Sequence, residues 1–420
     1  MSAVISKTPR AGFLKKQLLK QLNHWTREAP VRIVLGNNGD TPAPSAEGVP
    51  VIFIHDTSTL ARLILDPEVA FGDGYTKGRI DVHGDLAVLI ESILRAAPQN
   101  LSNRYSSMAS KLLKWAQSNT LRGSRQNIHR HYDLTTDFYQ LWLDSRLVYT
   151  CAYFPTASTT LEEAQLAKLD YVCRKVRLQP GETVFEAGCG WGALALHMAR
   201  NYGANVRAFN ISHEQIRHAQ AKAKEQGLSG RVEFIEDDYR NISGRCDAFV
   251  SVGMLEHVGV EHYKELGKVI HRAMGNSGRG LMHFIGRDRP HTFSPWIRKR
   301  IFPGAYAPSL GQAMRVLEPY DFSVLDVENL RPHYAKTLEH WLFRFERSAD
   351  RVREMFDPEL VRAWRLYLAG SLASFRTGNL QLFQVVFAGS ECRGMPWTRT
   401  HLYAAEEPVK QERKWMHATP

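Results

Sequence analysis

The run Val184-Phe185-Glu186-Ala187-Gly188-Cys189-Gly190-Trp191-Gly192 brings an acid to the end of an apolar strand and follows it with three alternate glycines. Glycines so spaced let a backbone turn sharply and lie close against a ligand. The helix start that follows offers unpaired N–H groups and the positive end of its dipole. A ligand bearing a carboxylate, a phosphate or both fits such a turn, and two candidates compete for it. Gly188-x-Gly190-x-x-Ala193 matches the dinucleotide fingerprint, which calls for an acid about 20 residues further on to bind the ribose. The next strand, Val206-Arg207-Ala208-Phe209, ends instead in Asn210. Glu186, two residues before the first glycine, would repel a pyrophosphate and suits an adenosyl-amino-acid ligand better.

Two more groups sit where such a ligand would react. Glu256 and His257 follow a fourth strand in Ser251-Val252-Gly253-Met254-Leu255-Glu256-His257, and His283 lies in a fifth, Leu281-Met282-His283-Phe284-Ile285-Gly286. Taken singly, a carboxylate after a strand is commonly a helix cap, and a histidine in an apolar strand a satisfied core residue. Their convergence on one crevice is what points to chemistry. A base-modifying methyltransferase would need Asn or Asp, Pro-Pro and an aromatic after the fourth strand; Gly253-Met254-Leu255-Glu256 offers nothing of the kind, which argues against a nucleic-acid substrate.

The elements that must position these groups follow from the pattern. From about residue 180, strands near 183–187, 205–209, 232–235, 248–252 and 280–285 alternate with helical periodicities, the signature of a doubly wound α/β sheet whose ligands sit at the carboxyl ends of its strands. A last strand over 381–387 is placed to close the sheet in antiparallel sense. Upstream, strand-like runs at 31–35 and 51–55 suggest a small α+β unit. The stretches 71–75 and 78–85 read as turns leading into a helix. An amphipathic basic segment over 13–25 presents Leu14, Leu18, Leu22 and Trp25 on one face, suited equally to packing or to an anionic bilayer. Residues 97–127 form the linker, with a second basic Trp-bearing patch at 111–115. The chain of 420 residues, 44% apolar, has ample material for a large core in two or three domains. Its net charge of +11 favours anionic partners. Five scattered cysteines without metal-type pairing suit a reduced, cytoplasmic setting, and no apolar run of about 20 residues suggests a membrane span.

A series of ordered motifs gives the chain a family resemblance. They are His129-Arg130-His131-Tyr132-Asp133, Tyr149-Thr150-Cys151-Ala152-Tyr153-Phe154, Leu161-Glu162-Glu163-Ala164-Gln165-x-Ala167-Lys168, the 186–192 turn, Gly253-Met254-Leu255-Glu256-His257-Val258-Gly259 and Tyr334-Ala335-x-Thr337-Leu338. In this order they resemble the cyclopropane-fatty-acyl-phospholipid synthase family of S-adenosylmethionine-dependent enzymes. The resemblance implies a Rossmann-like methyltransferase sheet with a helical lipid-binding insertion over 288–380, and domains spanning 1–120 (N-terminal, lipid-associated), 121–395 (catalytic) and 396–420 (tail). It implies methyl or methylene transfer to the cis double bond of a phospholipid acyl chain, and an enzyme peripheral to the inner face of a membrane. A homodimer is compatible with it. Bicarbonate is the implied base, held by Cys151, Glu256, His283, Ile285 through its backbone, and Tyr334. Tyr149, Thr150, Glu186, Gly188, Gly190, Asn210, Gln215, Asp238 and Tyr239 are the implied S-adenosylmethionine contacts. The sequence departs from the family where Thr135-Thr136 replaces Gly-Asn, Glu186 an Asp and Asn210 a Thr. These changes leave a methyl- or methylene-branched product open beside the ring.

Overall fold

The structure, a computed structural model, describes residues 29–36, 49–96 and 134–403. The 13–25 segment, the 97–127 linker with its 111–115 patch, and the 129–133 motif lie outside the described residues.

Three strands form a first sheet, in which β1 (Arg32–Leu35) pairs parallel with β2 (Val51–Ile54) and β2 pairs antiparallel with β3 (Ile80–His83). Helices α1 (Thr57–Leu65) and α2 (Pro67–Thr76) connect β2 to β3, and α3 (Leu86–Ala96) follows. The expected turn at 71–75 is instead the middle of α2, and part of 78–85 is strand β3. Asp66 caps α2 and Pro67 opens it, a strong local start. Its glycines serve close approach rather than turning: a Cβ on Gly72 would come within 2.2 Å of the Trp296 ring, and one on Gly74 within 2.7 Å of Ile80.

The main sheet arises from α4 (Leu161–Lys175), β4 (Thr183–Ala187), α5 (Ala193–Tyr202), β5 (Asn205–Asn210), α6 (His213–Glu225), β6 (Val232–Glu236), β7 (Ala248–Val252), α7 (Leu255–Val258), α8 (Tyr263–Met274), β8 (Arg279–Gly286), β9 (Ser323–Asn329), α9 (Arg331–Arg347), α10 (Pro358–Thr377) and β10 (Gln381–Ala388). The strand order is β6-β5-β4-β7-β8-β10-β9. Strands β4 to β8 are parallel, and β10 runs antiparallel to both its neighbours, as expected from the sequence. The chain winds outward in both directions from β4, so the switch point lies at the carboxyl end of that strand, where Glu186 and the glycines sit. The edge strand β9 went unread because its largely exposed Ser-Val-Leu-Asp-Val-Glu-Asn has no buried face to impose an alternation.

Central strands buried on both faces read as continuous apolar runs, and all five residues of β7 are buried. Packing there tolerates no additional atoms. A Cβ on Gly280 would lie 2.4 Å from the Phe387 ring and 2.7 Å from the Phe249 carbonyl oxygen. Gly280→Ala is expected to cost about 1–3 kcal/mol. It should appear as a lower urea midpoint at unchanged slope; an unchanged midpoint would show that the Phe387 ring simply rotates away.

Over the carboxyl ends of the strands, α9 and α10 build a helical cap with an aromatic core. The ring of Phe138 meets Trp364 at 5.0 Å, and that of Trp142 meets Trp341 at 5.6 Å. This core continues without a break into the first sheet. Arg362 of α10 donates to the carbonyls of Tyr75 and Ile80 and to the Asp81 carboxylate, while Arg300 pairs with Asp73 at 2.7 Å. No helix among the described residues is long and apolar enough to cross a membrane.

Candidate active site

The turn after β4 is held by its neighbour strand, since the N–H groups of Gly188 and Cys189 donate to the Phe209 carbonyl at 2.9 and 3.2 Å. Gly188 and Gly190 take φ of 86° and 54°, in the left-handed region where a side chain is strained. Gly192 is pressed against Phe234 and Ala219, a Cβ there coming within 2.6 and 2.8 Å of them. The turn therefore opens on one cleft, and all nine residues expected to contact the cofactor line it: Tyr149, Thr150, Glu186, Gly188, Gly190, Asn210, Gln215, Asp238 and Tyr239.

Several of their polar atoms are braced. Asn210 donates to Gln215 Oε1 at 2.7 Å and to the Gly190 carbonyl at 3.3 Å. Asp238 pairs with Arg240 at 3.1 Å. Glu186 is different. One carboxylate oxygen accepts the Ala195 N–H at the start of α5, whereas Oε2 is buried with no hydrogen-bond partner among the described residues. Burial pushes its carboxyl up to about 8 against the pull of Lys168. Lys168, itself 2% exposed, is pushed by burial down to about 8 and donates to Thr150 Oγ1 at 3.0 Å. One end of the cleft thus presents a carboxyl oxygen with no hydrogen-bond partner among the described residues near the amine that donates to Thr150. An α-amino acid end, bearing ammonium and carboxylate, complements both.

Cys151, Glu256, His283, Ile285 and Tyr334 do not line this cleft but adjoin it. Gly253 of the cleft wall donates its N–H to the His283 carbonyl at 2.8 Å, and Cys151 follows Thr150 directly. Glu256 Oε1 accepts the Ile285 N–H at 2.6 Å, while its Oε2 is buried without a partner among the described residues. Burial lifts the Glu256 carboxyl to about 7. His283 shares a face of β8 with Ile285; burial, reinforced by Lys168 and Lys175, keeps its imidazole neutral, and its Nε2 has no partner among the described residues. The Cys151 thiol, wholly buried near Thr337 of α9, is pushed up by burial and stays protonated. Tyr334 stands one turn before Thr337. Its helix is tethered to β8 through β10, because Leu330 donates to the carbonyl of Leu382, the register partner of Ile285. Glu256 and Ile285 are therefore in direct contact; His283 lies on the same strand as Ile285, and Cys151 and Tyr334 border the contact in which the Ala152 N–H donates to Thr337 Oγ1 at 3.0 Å. His257, weighed in the sequence beside Glu256, faces the cofactor cleft, and burial pushes it down to about 4.

Residues 119–385 match the family described as mycolic acid cyclopropane synthetase. The chain belongs to the cyclopropane synthase family. Within this family of S-adenosylmethionine-dependent methyltransferases, it is 32% identical to a probable fatty acid methyltransferase of Pseudomonas putida, over 89% of this chain and 96% of that protein. It is also 32% identical to the cyclopropane-fatty-acyl-phospholipid synthase of Escherichia coli K12, over 87% and 94%. Among solved structures it resembles mycolic acid cyclopropane synthase CmaA1 complexed with SAH and CTAB, at 31% identity and TM-score 0.60, covering 63% of this chain and 97% of that one.

In this synthase-family chain Lys168 ends the 161–168 motif, and nothing in that motif alone assigns it a role. The available signal was periodicity: Gln165, Lys168 and Lys175 share the buried stripe of α4 with Leu161, Leu169 and Val172, and polar residues on an apolar face need a reason. The buried carboxyls also set a pH dependence. Because Glu186 and Glu256 hold protons to about 8 and 7 in the fold, the native chain binds more protons than the unfolded one above the ordinary carboxylate range, and stability falls as pH rises. Below 6.5 the neutral His257 and His283 act in the opposite sense. Between 6.5 and about 8 the thermal midpoint of the ligand-free protein is therefore expected to drop. Glu186→Gln should flatten that slope. A midpoint that rises over this interval would refute the assignment.

Proposed function

We propose that this protein transfers a methyl or methylene group from S-adenosylmethionine to the cis double bond of an unsaturated acyl chain in a membrane phospholipid, closing a cyclopropane ring. The observation that carries the reading is the coexistence of two unpartnered buried polar atoms, Glu256 Oε2 and His283 Nε2, beside a cleft fitted to a charged amino acid and under an aromatic cap. An alkene is a weak nucleophile, so the reaction needs a dry, oriented site and π faces for the positive charge that develops on the chain. The ring of Tyr149, which lines the cleft and is backed by the buried Trp142 and Trp341 at 5.3 and 5.4 Å, would supply such a face.

The polar set fits bicarbonate. Cys151, Glu256, His283, the Ile285 backbone and Tyr334 would hold it, and bicarbonate bound there supplies an oxyanion base. A carboxylate beside an anion is repulsive only while ionised, and Glu256, lifted to about 7, holds a proton over much of the neutral range. Glu186 and Lys168 would hold the two charges of the methionyl end, with Asn210 and Gln215 toward the ribose and Asp238 and Tyr239 toward the adenine. We also propose that the basic surface meets an anionic membrane, with Arg298, Lys299 and Arg300 following the buried Trp296.

A second reading has an observation behind it: the Pseudomonas relative of equal identity bears the name of a fatty acid methyltransferase, so a branched acyl chain is the alternative product. Incubation of labelled S-adenosylmethionine with vesicles of mono-unsaturated anionic phospholipid should label the lipid, more weakly as salt screens surface charge. Mass spectrometry before and after hydrogenation separates ring from methylene branch. Label entering nucleic acid and not lipid would reject the proposal.

A further inference from the structure

We infer that Gln384 is a positioning residue that fixes His283 as the Nε2–H tautomer, so that a neutral imidazole presents a hydrogen-bond donor to an oxyanion. The inference rests on the function proposed above and adds a residue that neither motif nor resemblance supplied.

The register of the sheet sets the contact. In the antiparallel pairing of β10 with β8, Gln384 lies directly opposite His283. Both side chains are buried, at 0% and 2% exposure, and Gln384 Nε2 lies 3.0 Å from His283 Nδ1. An amide nitrogen can only donate, so Nδ1 accepts and the ring proton resides on Nε2. The opposite arrangement, with the amide turned over, would leave two N–H donors where Gln384 Oε1 now lies, a position with no partner among the described residues. As placed, one amide hydrogen is bonded to Nδ1 and only the other is left over beside Oε1, whereas the turned amide would have neither hydrogen bonded. His283 Nε2 is itself buried and has no partner among the described residues, which leaves its hydrogen for a ligand.

The surroundings reinforce this assignment. Lys168 and Lys175, two turns apart on the buried face of α4, oppose protonation of the ring. On the far side of Gln384, its β9 partner Glu328 is already engaged by Lys175 at 2.5 Å and by Tyr171 at 3.3 Å. A carboxylate at that distance along the row does not compete for the histidine. In a site meant to hold an anion, a neutral donor is preferable to an imidazolium, which would surrender its proton to the base. Gln384 secures the donor without the charge.

The test is nitrogen NMR of the full chain labelled in histidine, with His283 assigned by difference against His283→Gln. The wild-type spectrum should show a protonated Nε2 and an unprotonated Nδ1, unchanged across the range where an ordinary histidine titrates. Gln384→Glu places an acceptor at Nδ1 and should invert the tautomer, with a loss in kcat on the order of 10²-fold at unchanged affinity for S-adenosylmethionine. Gln384→Met, which carries no buried charge, should give a mixture of tautomers and an intermediate kcat, and so covers the case in which the Glu variant does not fold. A wild-type Nδ1–H tautomer, or one indifferent to both substitutions, overturns the inference. Inversion of the tautomer with full activity would instead uphold the role of Gln384 and reject the part given to His283 in the proposed reaction.

Discussion

Glu256→Gln is expected to reduce product formation by on the order of 10²–10³-fold while leaving S-adenosylmethionine binding unchanged. The substitution keeps the shape of the side chain and the acceptor that takes the Ile285 N–H at 2.6 Å. What changes is the second position, where the unpartnered Oε2 becomes an NH₂ group that can donate but never accept. Bicarbonate presents both a hydroxyl and anionic oxygens, so the wild-type carboxyl can accept from the first or, when protonated, donate to the second; glutamine loses the first option and with it the means to orient a base. Glu256 lies outside the cofactor cleft, which is why affinity for the methyl donor should survive. Isothermal titration with S-adenosylmethionine and single-turnover transfer to unsaturated vesicles separate the two effects. Turnover within threefold of wild type would remove Glu256 from the reaction, and the same result for Cys151→Ser and His283→Gln would sink the bicarbonate site altogether.

Glu186→Gln should have the opposite profile. The ligand-free protein is expected to become more stable above neutral pH, because the buried carboxyl lifted to about 8 no longer has to ionise without a partner. Affinity for S-adenosylmethionine should fall by roughly 10- to 100-fold, the scale of one charge-assisted hydrogen bond of about 1.5–3 kcal/mol. Turnover should recover at saturating donor. Lys168→Met should also weaken the donor, through loss of its charge and of the 3.0 Å bond that orients Thr150. Paired melting curves and titrations decide the matter: unchanged affinity in Glu186→Gln would mean that the unpartnered oxygen serves no ligand.

The legible part of this chain was the part where one physical demand leaves one pattern. Strands β4, β7 and β8 are buried on both faces and show as apolar runs, and the turn at 186–192 is visible because close approach to a ligand requires glycine. The nine cleft residues are those the family resemblance implies; most lie at or just past strand ends, but Tyr149 and Thr150 follow no strand. What escaped notice depended on pairing between distant segments. Gln384 looks like any polar interruption of an apolar strand until β10 is set antiparallel to β8 and His283 appears across from it. Strand β9 owes its place to β10 rather than to its own composition. In α2 the glycines were read as turns because nothing local reveals that Trp296, more than 200 residues later, occupies the space a side chain would need.

The first sheet and the helical cap share one buried cluster, with Leu60, Tyr75 and Ile80 on one side and Trp296, Trp364 and Leu368 on the other. Arg362 reaches across to spend its hydrogen bonds on Tyr75, Ile80 and Asp81. The N-terminal unit and the acyl-side cap are therefore a single thermodynamic body, although the strand pattern draws a border between them. The same cluster packs the first sheet against the helix that carries Tyr367, whose hydroxyl meets that of Tyr149 at 2.9 Å on the wall of the cofactor cleft. Should the proposed membrane contact be made through the first sheet, it and the geometry of the cofactor cleft would share one mechanical coordinate.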